Sequence, residues 1–151
     1  MQQYEQALQW LGNAERTARG DAWEETKNEY RIYFLTGQMY NWKFEDENQE
    51  QQSYSHDSLL SVKYTDRAIA DSRKFENLGI LALSLGLKAA NSTDRKDVML
   101  NCIMESNSIY RQLNDTISLQ NSMFQLCDYY VAKGDPHQAV LLCFKDSGLF
   151  R

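Results

Sequence analysis

The sequence predicts an all-α protein, an α-solenoid of antiparallel helix hairpins with about seven helices. Three observations support this. Proline and glycine are scarce, with one Pro and seven Gly in 151 residues, which suits long helices because both residues interrupt them. Apolar residues recur at steps of three and four along most of the chain, the spacing of one helical face. Short polar turns of helix-capping type separate these periodic stretches.

Two helices are predicted before the acidic segment. Residues 2–19 place apolar side chains on one face, and Gly20-Asp21 ends that helix. Residues 22–44 carry an aromatic-rich helical pattern. The following segment 45–55, EDENQEQQSYS, is acidic and has no periodicity, so it is interpreted as a solvated loop or a frayed helix extension.

Three further helices are predicted at 58–74, 78–90 and 95–113. Residues 75–77 form only a weak break between the first two. The second is nearly all apolar, so burial on most of its sides is expected. Residues 91–94, NSTD, are a turn with a capping residue.

The clearest helical signals lie in residues 108–142. The tetrapeptide LNDT at 113–116 combines a helix stop with a start, because Asn accepts the left-handed conformation and Asp or Thr can cap. An apolar face then runs over residues 117–131. KGDP at 133–136 repeats the stop and start, with Gly in the left-handed cap, Asp at the N-cap and Pro first in the helix. So short a turn predicts an antiparallel hairpin.

Residues of similar position recur at an offset of 41, for example 98 and 139 (139 − 98). A fixed period of this kind indicates a repeat architecture. Residues 36–40, TGQMY, fit the same position one unit earlier, where the turn has grown into the acidic segment. The matched pairs are Val98 with Ala139, Cys102 with Cys143, and Gly86 with Cys127.

These motifs resemble the tetratricopeptide repeat family, whose pattern is W-x2-L-G-x2-Y in the first helix, then a small residue and an aromatic in the second. The sequence LCDYY at 126–130, followed by Ala139, fits with Cys in place of Gly. Leu85-Gly86 fits a second copy, although Ala89 stands where Tyr is expected. Gly37 and Tyr40 fit a third, and YEQAL at 4–8 with Ala14 resembles a second helix whose first helix is missing.

The resemblance covers nearly the whole chain as one repeat domain, residues 1–151. It divides into a partial repeat at 1–20 and repeats at 22–74, 76–114 and 116–147. The period of about 40 residues exceeds the usual 34, and the family's Pro at the end of the second helix is absent. The longer period is similar to that of bacterial signalling and regulator arrays. Another α-solenoid or an irregular helical bundle is the alternative fold.

The resemblance implies that the first helix of each repeat lines a concave face that binds a protein or peptide. Aromatic and amide groups there suit an extended peptide or a partner helix, or a copy of the chain. An ordinary solvated or packing role for any one of them stays open. The implied positions are Arg31, Phe34, Gln38, Asn41, Trp42, Leu83, Leu87, Asn91, Asn121, Phe124 and Asp128.

Candidates for chemistry are few, and neither a cofactor nor a metal is predicted. Cys102, Cys127 and Cys143 lack C-x-x-C spacing and lie on apolar faces, so they are expected to be buried structural thiols. His56 and His137 have no partner spaced for a metal site or a catalytic triad. The expected function is therefore not enzymatic. A thiol-based redox sensor or a small helical enzyme is the alternative, and a purely structural spacer is a third possibility.

Composition limits partners and location. The net charge is −5, and no cluster of basic residues appears, so nucleic-acid binding by this segment is not expected. No apolar run approaches the ~20 residues of a membrane span, and the N-terminus lacks signal-peptide features. The odd cysteine number favours the cytoplasm. The chain begins as if within a repeat, so it is interpreted as the scaffold or sensor part of a larger bacterial regulator. If the chain is such a part, a periplasmic location stays open.

Overall fold

A computed structural model describes residues 2–20, 29–47 and 56–146. These residues form helices and short turns, with no strand among them, so the prediction of an all-α chain is confirmed. The predicted start of the second helix at 22 and most of the acidic segment 45–55 lie outside the described residues. The helices are α1 (Gln2–Gly20), α2 (Glu29–Glu47), α3 (His56–Lys74), α4 (Leu78–Ala90), α5 (Lys96–Gln112), α6 (Thr116–Ala132) and α7 (Pro136–Asp146).

Helices adjacent in sequence pack against each other, and α2 also contacts α4. The larger hydrophobic cluster joins α3, α4, α5 and α6 around fully buried side chains such as Leu85 and Ile103. A smaller cluster joins α2 and α3 through Tyr33, Phe34 and Ala68. The nearly all-apolar α4 has neighbours in both clusters, which explains its composition, although Leu83 on α4 remains exposed.

Three of the connections are the same short turn. A left-handed residue ends the helix in each: Glu76 and Asn114 at φ 55°, and Gly134 at φ 84°. The backbone N–H of the next residue reaches back to a carbonyl five positions earlier, at 2.9–3.0 Å, as in a Schellman motif. That next residue also caps the following helix. Its Oδ1 accepts a backbone N–H three positions on: Asn77 from Ile80, Asp115 from Ser118, and Asp135 from Gln138.

These turns confirm the left-handed positions and the Asp caps predicted at 113–116 and 133–136. They also show that residues 75–77, expected to be a weak break, form a fully capped turn. The turn predicted at 91–94 is confirmed, and Asn91 is the C-cap of α4. The N-cap of α5 is Arg95, and its side chain makes no capping hydrogen bond.

The turns before α4 and α6 give a structural measure of the spacing along the chain. Their left-handed residues, Glu76 and Asn114, are 38 positions apart (114 − 76), whereas the sequence alignment used an offset of 41. The difference of three residues is close to one helical turn of 3.6. Both offsets therefore align some buried positions of α4 with buried positions of α6, for example Leu85 with Met123 at 38 and with Leu126 at 41.

Helices α2 and α3 meet at Gly37, where their backbones come close together. A Cβ added to Gly37 would lie 2.9 Å from Thr65 Oγ1, 3.2 Å from Thr65 N and 3.3 Å from Ser61 O. The Ser61 hydroxyl donates to the Gly37 carbonyl at 2.9 Å. The contact therefore depends on glycine, because any side chain would have to push backbone atoms of α3 away.

We expect Gly37→Ala to lower the free energy of unfolding by about 1–3 kcal/mol, the usual cost of overpacking a closed contact. Urea denaturation measures the change. Gly12→Ala is the matched control. A Cβ at Gly12 meets nothing within 4 Å, so the greater helix propensity of Ala should leave stability unchanged or raise it by up to about 1 kcal/mol. Equal effects of the two substitutions would contradict this account of the α2–α3 contact.

The Asp115 cap makes stability depend on pH. Hydrogen bonding of its carboxylate to the backbone N–H of Ser118, and then to the Ser118 side chain, lowers the pKa of Asp115 from its ordinary 3.8. A carboxyl group with a lowered folded-state pKa stabilises the fold above its unfolded-state pKa. That contribution is lost as the pH falls through the folded-state pKa.

We therefore expect the stability difference between wild type and Asp115→Asn to shrink as the pH falls below about 4. Asparagine keeps a capping oxygen but carries no charge, so the variant isolates the titrating part of the cap. Urea midpoints at pH 7 and at acid pH give the comparison. A difference that stays constant over this range would exclude the Asp115 carboxylate as its source.

Candidate partner-binding groove

An open groove lies between α2, α4 and α6, and Tyr110 of α5 contributes to its wall. Its volume is about 250 Å³. An adjoining hollow of about 240 Å³ shares Leu83, Tyr110 and Ser118 with it and extends towards Arg31 and Asp115. The two are called the α2–α4–α6 groove below. The first part is lined by Phe34, Gln38, Leu83, Gly86, Leu87, Ala90, Tyr110, Ser118, Asn121, Ser122 and Gln125.

The lining of the groove is apolar on α4 and polar on α6. Leu83 is 40% exposed despite its apolar side chain. Gly86 leaves room beside it, since a Cβ there would meet only Gln125 Oε1, at 3.8 Å. Across the groove, α6 presents hydroxyl and amide side chains. An apolar surface faced by amides is typical of sites that bind peptide backbone.

Gln125 has an unused hydrogen-bonding atom in the groove wall. Its Oε1 is buried, and no residue in the described part of the chain forms a hydrogen bond to it. Burying a polar atom without a partner is costly, so most such atoms in proteins are paired. A bound N–H group would satisfy this one after a rotation of the Gln125 side chain, because the oxygen as it stands has almost no accessible surface.

Tyr110 supplies a neutral phenol to the same wall. Burial, with a smaller contribution from the Asp115 carboxylate, raises the pKa of Tyr110 to about 12. The hydroxyl therefore keeps its proton at neutral pH and is able to donate a hydrogen bond.

The predicted concave positions fall into two groups in the structure. Five of them line the first part of the groove, and Arg31 lines the adjoining hollow. The other five do not line the groove. On α2, Asn41 is buried and Trp42 is exposed, and on α6 both Phe124 and Asp128 are exposed. The Asn91 amide donates a hydrogen bond to Ser61 Oγ at 2.9 Å. The five lining residues are Phe34, Gln38, Leu83, Leu87 and Asn121.

Phe34 lines the groove but is only 8% exposed and belongs to the α2–α3 core cluster. Truncating it would remove packing as well as groove surface. In the first part of the groove, sequence reasoning missed Gly86, Ala90, Tyr110, Ser118, Ser122 and Gln125. Only Gln125 carried a usable signal, as an amide between the apolar residues 124 and 126 of a helix that is otherwise well patterned.

The remaining candidate groups offer little reactivity. Cys102 and Cys127 are buried free thiols, as predicted, and the Cys143 side chain lies outside the described residues. Burial raises the pKa of the Cys102 thiol, which disfavours the reactive thiolate. His137 is exposed, and the His56 side chain lies outside the description. No helix in the described ranges is long and apolar enough to cross a membrane.

No protein-family model, curated protein or solved structure matches this chain. Its function is therefore inferred from the residues of the α2–α4–α6 groove and from how the helices position them.

We expect Cys102 and Cys127 to react slowly with a thiol reagent in the native protein, because the reagent needs an exposed thiolate. In a Cys143→Ser variant at pH 8, modification should be at least about tenfold slower than that of free cysteine and should become rapid in denaturant. Rapid modification of the folded variant would show an accessible thiol and favour a redox role.

Proposed function

We propose that this chain is a non-enzymatic helical-repeat module that binds an extended peptide or a partner helix in the α2–α4–α6 groove. In this proposal it acts as the scaffold or sensor part of a larger regulatory protein. The observation that carries the proposal is the composition of the groove, in which an exposed leucine faces several amide groups, one of them with an unpartnered buried oxygen.

The groove chemistry supports a peptide ligand over a small polar metabolite. Leu83, Leu87 and the edge of Phe34 offer apolar contact area to side chains. Gln38, Asn121 and Gln125 offer amides that can bond a peptide backbone, whose N–H and C=O groups need partners wherever they leave water. Among the groups that line the first part of the groove, none is charged, which does not favour a charged metabolite.

The arrangement of the helices supports a repeat module of the long-period tetratricopeptide type. The turns at 76 and 114 share one geometry, and each is followed by a helix that lines the groove. The first helices of successive hairpins would then form the concave face of a solenoid, the surface that such arrays use for binding.

The alternatives are a thiol-based redox sensor and a small helical enzyme. The buried thiols of Cys102 and Cys127 do not favour the former. For the latter, the described residues hold no group of three or more His, Cys, Asp or Glu side chains that could bind a metal ion.

Peptide selection with the immobilised full chain tests the proposal. Peptides enriched from a displayed random library are measured for affinity against wild type, Leu83→Lys and Gln125→Leu. We expect Leu83→Lys to weaken binding at least about tenfold, or 1.4 kcal/mol, because it places a charge in the apolar wall. Gln125→Leu should weaken peptides that use their backbone N–H.

Leu59→Lys is the matched control, since Leu59 is an exposed leucine on α3 and does not line the groove. Circular dichroism checks that each variant folds. Peptides that bind Leu83→Lys as tightly as wild type, or that lose affinity equally with Leu59→Lys, would show that the groove is not the site. Failure to enrich any peptide would also count against the proposal.

A further inference from the structure

Helix α6 exposes a line of large apolar side chains next to the groove. Ile117 is 74% exposed, Phe124 57% and Val131 58%. They are spaced seven residues apart, so they fall on one side of the helix, along about 21 Å of its length at 1.5 Å per residue. Single exposed apolar residues are ordinary, but an aligned set on one helix marks an interaction surface. These three residues are called the α6 stripe.

The side of α4 that corresponds to the α6 stripe is covered by another helix. The turns before α4 and α6 are 38 positions apart, so Phe124 on α6 corresponds to Gly86 on α4. Gly86 lies in the groove opposite Gln125 of α6. The face of α4 that carries Gly86 is therefore opposed by a helix, whereas the equivalent face of α6 carries the α6 stripe and is exposed.

The α6 stripe is complementary to itself when two copies run antiparallel. With a two-fold axis beside Phe124, the two Phe124 rings meet. Ile117 and Val131 are each seven residues from Phe124, so Ile117 of one copy meets Val131 of the other. Asn121 lies three residues before Phe124 and Asp128 four residues after it, so both are on the same flank of the α6 stripe. The two-fold rotation brings the Asn121 amide next to the Asp128 carboxylate of the other copy, where the amide can donate a hydrogen bond.

We propose that the chain forms a two-fold symmetric dimer in which α6 packs antiparallel on α6 of a second copy. The interface is isologous, with the same patch used by both subunits, the commonest arrangement of homodimers. The polar pair selects the orientation. In a parallel pairing the two-fold axis runs along the helices and puts the Asp128 residues of the two copies on opposite flanks, away from the Asn121 amides, whereas the antiparallel pairing gives each carboxylate an amide donor.

The dimer is expected to be weak, because one helix pair is at the small end of specific interfaces. Phe124 does not line the α2–α4–α6 groove. Dimer formation therefore does not rest on the proposed peptide binding, and Phe124 and Leu83 test the two separately, whereas Asn121 both lines the groove and flanks the α6 stripe. A dimer that fails to form leaves the peptide measurements with Leu83→Lys unaffected.

Sedimentation equilibrium of the full chain between about 10 µM and 1 mM, the range of weak interfaces, tests the proposal. We expect the mass to rise from the chain mass of 17.6 kDa towards twice that value. Phe124→Lys should stay monomeric throughout, because it places two ammonium groups at the axis. Trp10→Lys, on α1 and outside the stripe, is the control and should dimerise as wild type does.

Two further variants test the register. Asn121→Asp should weaken the dimer about tenfold, since it sets two carboxylates together. Adding Asp128→Lys should restore the affinity by creating an Asp–Lys pair between subunits. A monomer up to 1 mM, a dimer that survives Phe124→Lys, or a double variant without recovery would each overturn the proposal. A monomer up to 1 mM would mean that the α6 stripe is a surface for another segment or another protein.

Discussion

The three-residue turn is the constraint on which the rest of this structure depends. In each copy, one Asn or Asp residue closes the previous helix with its backbone N–H and opens the next with its side chain. The connection is only three residues long, and the helices that it joins, α3 with α4, α5 with α6 and α6 with α7, pack against each other. The groove lies between helices that are two apart along the chain, α2, α4 and α6.

Small side chains bring helices that are adjacent in sequence close together. Glycine at 37 and hydroxyl residues at 61 and 65 let α2 and α3 approach closely. A Ser106–Ser122 hydroxyl contact at 3.1 Å joins α5 to α6 within the core. In the groove, Gly86 has no side chain and leaves open the space that Leu83 and Gln125 line.

Much of the fold could be predicted from the sequence because its signals are local. Periodicity placed α4 at its observed bounds, and the capping chemistry of Asn114 and Asp135 is readable from neighbouring residues. The turn at Glu76 could not be recognised, because glutamate rarely adopts a left-handed conformation and gives no signal for it. The offset of 41 instead of 38 has a related cause. Helical faces repeat about every turn, so apolar matching alone cannot fix the register.

The groove was harder to predict than the helices, since it depends on which faces meet. Phe34 was placed in a binding surface, yet it also packs against Ala68 in the core. Asn91 satisfies Ser61, a partner 30 residues earlier that no local pattern indicates. Gln125 matters through the absence of a hydrogen-bond partner within the described residues, and only coordinates show such an absence. The resemblance to a repeat family predicts which helix lines the binding surface, whereas packing decides which side chains of that helix remain exposed there.

The dominance of contacts between sequence neighbours also bears on how the chain folds. Apart from the contact of α2 with α4, the main helix pairs are adjacent in sequence, so little loop-closure entropy opposes their formation. Topologies of this kind fold within microseconds to milliseconds. They also unfold piecewise, because a unit at one end loses only the contacts with its single neighbour. Under tension, the helices of the described part are thus expected to detach one after another and not all at once.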